Sequence, residues 1–299
     1  MNRMDTADST GQLRLGVVVP LANEERTIES LLDAITAHLQ EDDRIFCVLD
    51  KVSKDSTREK VEDYSRRDHR VRCVWAPENR CVVDAYFRGY REALDAGCRW
   101  ILEMDGGFSH HPDEIPKFIA AMEAGANFAA GSRFASGGAH QGSLYRSLLS
   151  WAGTFLTNRF LDTEMKDMTS GFECFSHAAL KHVLDRGVES RYHFFQTEIR
   201  YMLRDWNWVE IPITYSNPSP GVGLAPIREA LALLWKLSRQ QDHAAPSHDH
   251  RAAPLHRSHH HPGSDALHGK TGPDGDPGGV DRHRGRRPER ALPIPPRSV

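Results

Sequence analysis

Three polar clusters, each directly behind a short apolar run, hold the residues of this sequence that could do chemistry. The first is Asn23-Glu24-Glu25, after Val17-Val18-Val19-Pro20. An amide and two carboxylates there can meet a polar ligand, and they equally suit a helix start, where asparagine caps and glutamate faces the positive end of the dipole. The second is Asp50, after Ile45–Leu49 and before Lys51, Ser53, Asp55 and Thr57. A carboxylate at a strand terminus can accept hydrogen bonds from a ribose or a base; capping explains Asp55–Thr57 but leaves Asp50 unaccounted for. The third is Asp105-Gly106-Gly107-Phe108-Ser109-His110-His111-Pro112. A carboxylate beside glycines, which let backbone approach a ligand, suits a divalent cation on a diphosphate. His110 and His111 lack a third partner at metal spacing and read as decoration of a helix start.

Residues so placed need a sheet edge to converge on. Leu13–Val19 is strand-like, and Ile28, Leu31, Leu32, Ile35 and Leu39 then follow a helical stripe. Three further strand-helix pairs follow: Ile45–Leu49 with Lys54–Arg67, Val71–Trp75 with Val82–Ala96, and Trp100–Met104 with Pro112–Ala124. Ala126–Ala130 adds a strand. This alternation predicts an α/β fold, a doubly wound and mostly parallel sheet in a single domain, with ligands at the C-terminal ends of its strands. Beyond Leu144 the pattern gives a helix with Leu148, Trp151 and Phe155, a strand-like Thr169–Phe175, helices Ala178–Leu184 and Phe194–Arg204, and a strand Trp208–Thr214. The last helix, Ile227–Arg239, is apolar on most of its circumference; it can pack on the body or lie on a membrane surface.

The chain has 299 residues, 38 Lys+Arg against 41 Asp+Glu and a net charge of −3, which argues against a nucleic-acid partner. Every aromatic residue precedes Gln240, whereas nine of the 17 histidines and nine of the 17 prolines follow it. Such a segment cannot bury enough apolar surface to offset its ordering entropy. The expected organisation is a disordered start at 1–11, a folded domain at 12–239 and a disordered His/Pro/Arg/Gly tail at 240–299, whose composition also fits an out-of-frame ending. The five cysteines, scattered and odd in number, suit reduced thiols in a cytoplasmic protein. Neither a signal peptide nor a membrane span is expected.

In order along the chain, Val19-Pro20…Asn23-Glu24-Glu25, Asp50…Ser53…Asp55…Thr57, Met104-Asp105…His111-Pro112, Gly131-Ser132-Arg133-Phe134, Asp167…Thr169-Ser170-Gly171-Phe172, Phe195-Gln196-Thr197-Glu198 and Glu210-Ile211-Pro212-Ile213 resemble the family 2 glycosyltransferases of GT-A fold. Within them the likeness is to the dolichol- or polyprenyl-phosphate mannosyltransferase type. The resemblance implies inverting transfer of a sugar from a nucleotide-sugar donor to a polyprenyl-phosphate or hydroxyl acceptor, with Mg²⁺ or Mn²⁺ on the leaving diphosphate. It assigns Pro20, Asn23, Glu25 and Asp50 to the nucleoside and Asp105 to the metal. Arg133 and Arg146 are candidates for phosphate, because a guanidinium fork matches its geometry. A lipid phosphate is already an oxyanion, whereas a hydroxyl acceptor needs a base; Asp167 and Glu198 are the candidates.

Three positions depart from the family pattern. Gly107 and Ser109 stand where further metal ligands are usual, and Lys51 stands where a second aspartate is usual. The loop Asn217–Gly223, normally basic, has no Arg or Lys, so Lys51, Arg80 or Lys166 would have to serve. An alternative function is therefore a non-catalytic sugar-nucleotide-binding protein of the same fold. A nucleotidyltransferase is disfavoured, because Pro20–Glu25 has neither glycine nor cation. An enzyme on a lipid acceptor would sit in the cytoplasm, peripherally at the inner face of the plasma membrane, with 227–239 as the contact.

Overall fold

A computed structural model describes residues 13–141, 144–216 and 223–241. Its strands are β1 (Leu15–Leu21), β2 (Arg44–Leu49), β3 (Val71–Trp75), β4 (Trp100–Glu103), β5 (Phe128–Ser132), β6 (Ala139–His140), β7 (Glu173–Ser176), β8 (Trp208–Pro212) and β9 (Thr214–Tyr215). The helices are α1 (Ile28–Thr36), α2 (Thr57–Arg67), α3 (Val82–Asp95), α4 (Ile115–Glu123), α5 (Leu144–Leu161), α6 (His177–Arg186), α7 (Phe194–Met202) and α8 (Leu224–Gln241). Seven strands form one sheet in the order β3-β2-β1-β4-β7-β5-β8, and β6 pairs with β9 separately.

Alternation along β1 explains why the sheet is covered on both faces. Val17 and Val19 enter a core made with α1, α2 and α4, whereas Val18 enters a second core with α3, α6 and α7. Each fully buried Val, Leu or Phe side chain contributes about 1.5–3 kcal/mol, so neither face is dispensable. The strand expected to end at Val19 runs on through Pro20 to Leu21. The proline's missing N–H is tolerated because β4 pairs with β1 only as far as Val18.

The strand order places the site. All strands of the large sheet run parallel except β7, which is antiparallel to both β4 and β5. The expected strand Thr169–Phe175 is accordingly a shorter strand at Glu173–Ser176, preceded by a turn. Because Glu103, at the end of β4, pairs with Glu173, at the start of β7, the segment before β7 arrives at the edge where the parallel strands end. Residues 167–172 thus join the loops that follow β1, β2, β4, β5 and β8. The last helix reaches Gln241, beyond the boundary expected at 239. The expected disorder of 1–11 and most of the expected tail, 242–299, lie outside the described residues.

Candidate active site

The first two loops at this edge are sewn together. Asn23 adopts a left-handed backbone (φ 59°), which asparagine tolerates better than most residues. Its amide nitrogen donates to the Val52 carbonyl at 3.5 Å and its Oδ1 accepts from the Lys54 N–H at 2.9 Å. Glu25 Oε2 accepts from the Ser56 N–H and hydroxyl at 3.2 and 2.8 Å, and the Glu25 N–H donates to Asp55 at 3.0 Å. Burial would push the Asp55 carboxyl up, but hydrogen bonds from Thr57, the Glu25 N–H and Ser53 together hold it down at about 2. The side chains of Asn23 and Glu25, expected at the nucleoside, are therefore spent on a seam between loops. What the seam fixes is the turn of Asp50, whose Oδ1 accepts from the Val52 N–H at 2.8 Å.

Asp105 stands at the edge with its side chain 37% exposed. Two groups that sequence spacing could not reveal hold it. Tyr86, one α3 residue inside the second core, donates its hydroxyl to Asp105 Oδ1 at 2.8 Å, and burial followed by the Asp105 charge keeps that phenol protonated well above its usual range. His110 accepts the Asp105 N–H on Nδ1 at 3.1 Å, is 1% exposed and stacks on Phe172 at 4.8 Å. It is a buried brace rather than the decoration of a helix start expected, and burial holds its pKa below the usual value. The accepting Nδ1 puts the proton on Nε2, which faces Asp105 Oδ2 at 3.9 Å, so this ring does not present a free nitrogen to a metal. His111 instead meets Ser216 Oγ at 2.7 Å.

The glycines beside Asp105 differ in purpose. A Cβ at Gly106 would lie 2.5 Å from Leu21 Cδ2 and 2.9 Å from the Pro20 carbonyl oxygen, so here the turn must pack backbone against β1. At Gly107 a side chain would start 3.3 Å from Glu24 Oε1. The ground of the second family carboxylate is thus bordered by Glu24 from the opposite loop. Among the described residues no group of three or more His, Cys, Asp or Glu side chains could hold a metal. Mg²⁺ commonly takes one or two carboxylates and completes its shell with phosphate and water, so Asp105 alone fits a cation whose remaining ligands come from a bound phosphate group and water.

Opposite Asp105, Arg133 follows β5. Its Nε donates to Asp167 Oδ2 and its Nη2 to Asp167 Oδ1, both at 2.8 Å, and Nη2 also reaches Thr169 Oγ1 at 2.6 Å. The rings of Phe134 and Tyr215 lie 5.6 Å from its guanidinium carbon. Asp167 additionally accepts the Arg133 and Thr169 N–H groups. Burial opposes its charge, but Arg133 foremost and then Arg200 overcome this and hold its carboxyl down at about 2. So weak a base, with both oxygens occupied, does not match the proton acceptor expected at this position; it holds Arg133.

Glu198 also departs from the expected base. It is buried, and its two oxygens accept the N–H groups of Glu189 and Ser190 at 3.0 and 2.9 Å, closing the loop before α7. Burial raises its pKa despite those bonds. Glu198→Gln should therefore lower thermal stability, by about 1–2 kcal/mol for a lost charge-assisted bond, which a thermal melt measures. Pro20 lies at the edge with its carbonyl against Gly106. Arg146 is on α5, its side chain outside the described residues, as is the loop at 217–222. A groove of about 840 Å³ beside α3 has Arg80 in its wall, but not Asp50, Asp105 or Arg133.

With this geometry in hand, comparisons identify relatives. The profile described as glycosyl transferase family 2 matches residues 16–184. An undecaprenyl-phosphate mannosyltransferase of Micrococcus luteus is 26% identical over 68% of this chain and 84% of its own length. A polyprenol monophosphomannose synthase of Mycolicibacterium smegmatis is 27% identical over 76% of this chain and 89% of its own. Among solved structures, glucosyl-3-phosphoglycerate synthase of Mycobacterium tuberculosis with Mn²⁺, UDP-glucose and phosphoglyceric acid superposes with a TM-score of 0.58 at 16% identity, covering 76% of this chain and 80% of that one. That likeness shows the shared fold.

Proposed function

The chain belongs to glycosyl transferase family 2 and is a glycosyltransferase; from that premise we propose that it transfers a sugar, with inversion, from a nucleotide-sugar donor to a polyprenyl phosphate. One observation carries the choice of acceptor. Both carboxylates that could take a proton from a hydroxyl, Asp167 and Glu198, are buried and fully engaged. An acceptor that arrives as an oxyanion needs no base. Its phosphate oxygen attacks the anomeric carbon as the bond to the diphosphate breaks, and the electron pair leaves on the diphosphate.

On the donor side Asp50 and Pro20 are the residues left for the nucleoside once Asn23 and Glu25 are committed to the seam. Asp50→Ala should raise donor KM more than it lowers kcat, since a ribose contact is the same in ground and transition states. An unchanged KM would place Asp50 outside the donor site. Asp105 would hold a divalent cation, whose contribution when bound is to offset the charge that develops on the leaving diphosphate. Tyr86 and His110 orient the carboxylate for that task.

A lipid acceptor requires contact with a bilayer, and two helices support one. α5 exposes Leu144, Leu148, Trp151 and Phe155, spaced as one helical stripe, with Trp151 54% and Phe155 56% exposed. α8, which packs against α5, exposes Leu224, Leu231 and Trp235. The contact expected at 227–239 is thus extended to a second helix. No described helix is long and apolar enough to cross a membrane. Trp151→Ser with Phe155→Ser should weaken sedimentation with phosphatidylglycerol vesicles at least tenfold while thermal stability is kept; equal sedimentation would exclude α5 from the contact.

The function is tested by incubating the full chain with UDP, GDP, CDP and dTDP sugars, undecaprenyl phosphate and Mn²⁺. Lipid-linked sugar and free nucleoside diphosphate are the expected products. Nucleotide binding without transfer would favour the non-catalytic alternative, which Gly107 recommends, and transfer only to hydroxyl acceptors would overturn the lipid assignment.

A further inference from the structure

Arg200 lies on α7 with none of its surface exposed, a place where a guanidinium is tolerated only if its donors are met. Its Nε donates to Glu173 Oε1 at 2.5 Å. Nη2 donates to the carbonyls of Gly131 at 3.2 Å and Ser170 at 2.9 Å, and Nη1 donates to the carbonyl of Asp167. Gly131 is two residues before Arg133, and Asp167 is the ion-pair partner of Arg133 itself. One side chain therefore ties together the two backbone segments whose side chains form the Arg133–Asp167 pair.

The surroundings enclose this brace. Glu103 stands directly across from Glu173 in the β4–β7 register and is fully buried. Glu173 Oε1 is the carboxylate oxygen that Arg200 Nε meets. The Gln196 side chain closes the cluster from α7: a Cβ at Gly171 would fall 1.9 Å from its Nε2, so a larger residue there would have to displace the Gln196 amide.

We propose that Arg200 is a positioning residue for phosphate recognition: it fixes segments 131–133 and 167–170 at the separation at which Arg133 presents its guanidinium to the phosphate groups of the reactants. This rests on the phosphate-binding reading of Arg133 given above. A brace of this kind differs from general core packing in what its loss does. Packing can be restored with apolar residues of similar volume, whereas the spacing of the two segments cannot, because no apolar side chain spans three carbonyls.

The experiment measures inorganic pyrophosphate binding to the full chain by calorimetry, with thermal melts alongside. Arg200→Met alone strands Glu173 in the core and is expected to melt far below wild type. Arg200→Met combined with Glu173→Leu removes both charges and should recover most of that loss, yet bind pyrophosphate at least tenfold more weakly. Arg200→Lys, which keeps the charge but reaches fewer carbonyls, should also bind more weakly. Added to Arg133→Met, the double replacement should cause no further loss, since both act through one guanidinium. Wild-type affinity in either folded Arg200 variant, or fully additive losses, would overturn the proposal. Wild-type affinity in Arg133→Met would be a different result: it would remove phosphate recognition from Arg133, and the role of Arg200 with it.

Discussion

Asp105→Asn should abolish sugar transfer in a protein that still folds. Asparagine keeps an oxygen for the Tyr86 hydroxyl and the same backbone N–H for His110 Nδ1, so the local structure has no reason to change. What disappears is the negative charge, on a residue exposed enough to meet a ligand. Removal of one electrostatic group aimed at a developing charge is typically worth about 10²–10³ in kcat, or about 3–4 kcal/mol. The loss should be larger here because no second carboxylate follows at Gly107 to share the cation. Steady-state rates with Mn²⁺, compared with nucleoside diphosphate affinity measured with and without the ion, provide the check. The variant should retain metal-free nucleotide binding and lose the increment that Mn²⁺ adds. Wild-type turnover would refute the assignment.

The second large effect concerns stability. Asp167→Asn leaves Arg133, itself nearly buried, without its counter-charge, and breaking a buried pair by removing one partner costs about 3–5 kcal/mol. The same pair has an acid limb. The folded carboxyl titrates at about 2 and the unfolded one near 3.8, so the group's stabilisation is fully present above the unfolded value and is lost as pH falls through the folded one. The difference corresponds to about 2 kcal/mol. Wild-type protein should lose this increment between about pH 4 and pH 2, and Asp167→Asn should show a flatter limb over that window. Urea titrations of both proteins at pH 6 and pH 3 measure it; parallel losses would show that Asp167 is not held by Arg133.

These effects fall on residues whose partners were legible to very different degrees. Asp105 was readable as a site residue because a strand pattern, two glycines and a helix-starting proline frame it within a few positions. Tyr86, its hydrogen-bond donor, was not readable: it sits on a helix stripe where a tyrosine looks like any other core aromatic. Asp167 is readable as a site residue, but nothing local says that its oxygens meet Arg133. Glu198 likewise seemed free for chemistry until the fold set the N–H groups of Glu189 and Ser190 on it.

The sequence by itself determined the alternation of strand and helix, and with it the parallel sheet and the edge to which polar residues must come. These are properties of neighbours in the chain, expressed as periods of two and of 3.6 residues and as turn chemistry at fixed offsets. The tertiary structure decided which polar groups remain available at that edge. β7 inserts antiparallel between β4 and β5, carries residues 167–172 to the parallel strands' ends, and lets Arg200 join Gly131 to Asp167 across the core. Whether a carboxylate is a base, a ligand or a clasp depends on the donors packed around it, and those donors come from segments tens of residues away that no local pattern encodes.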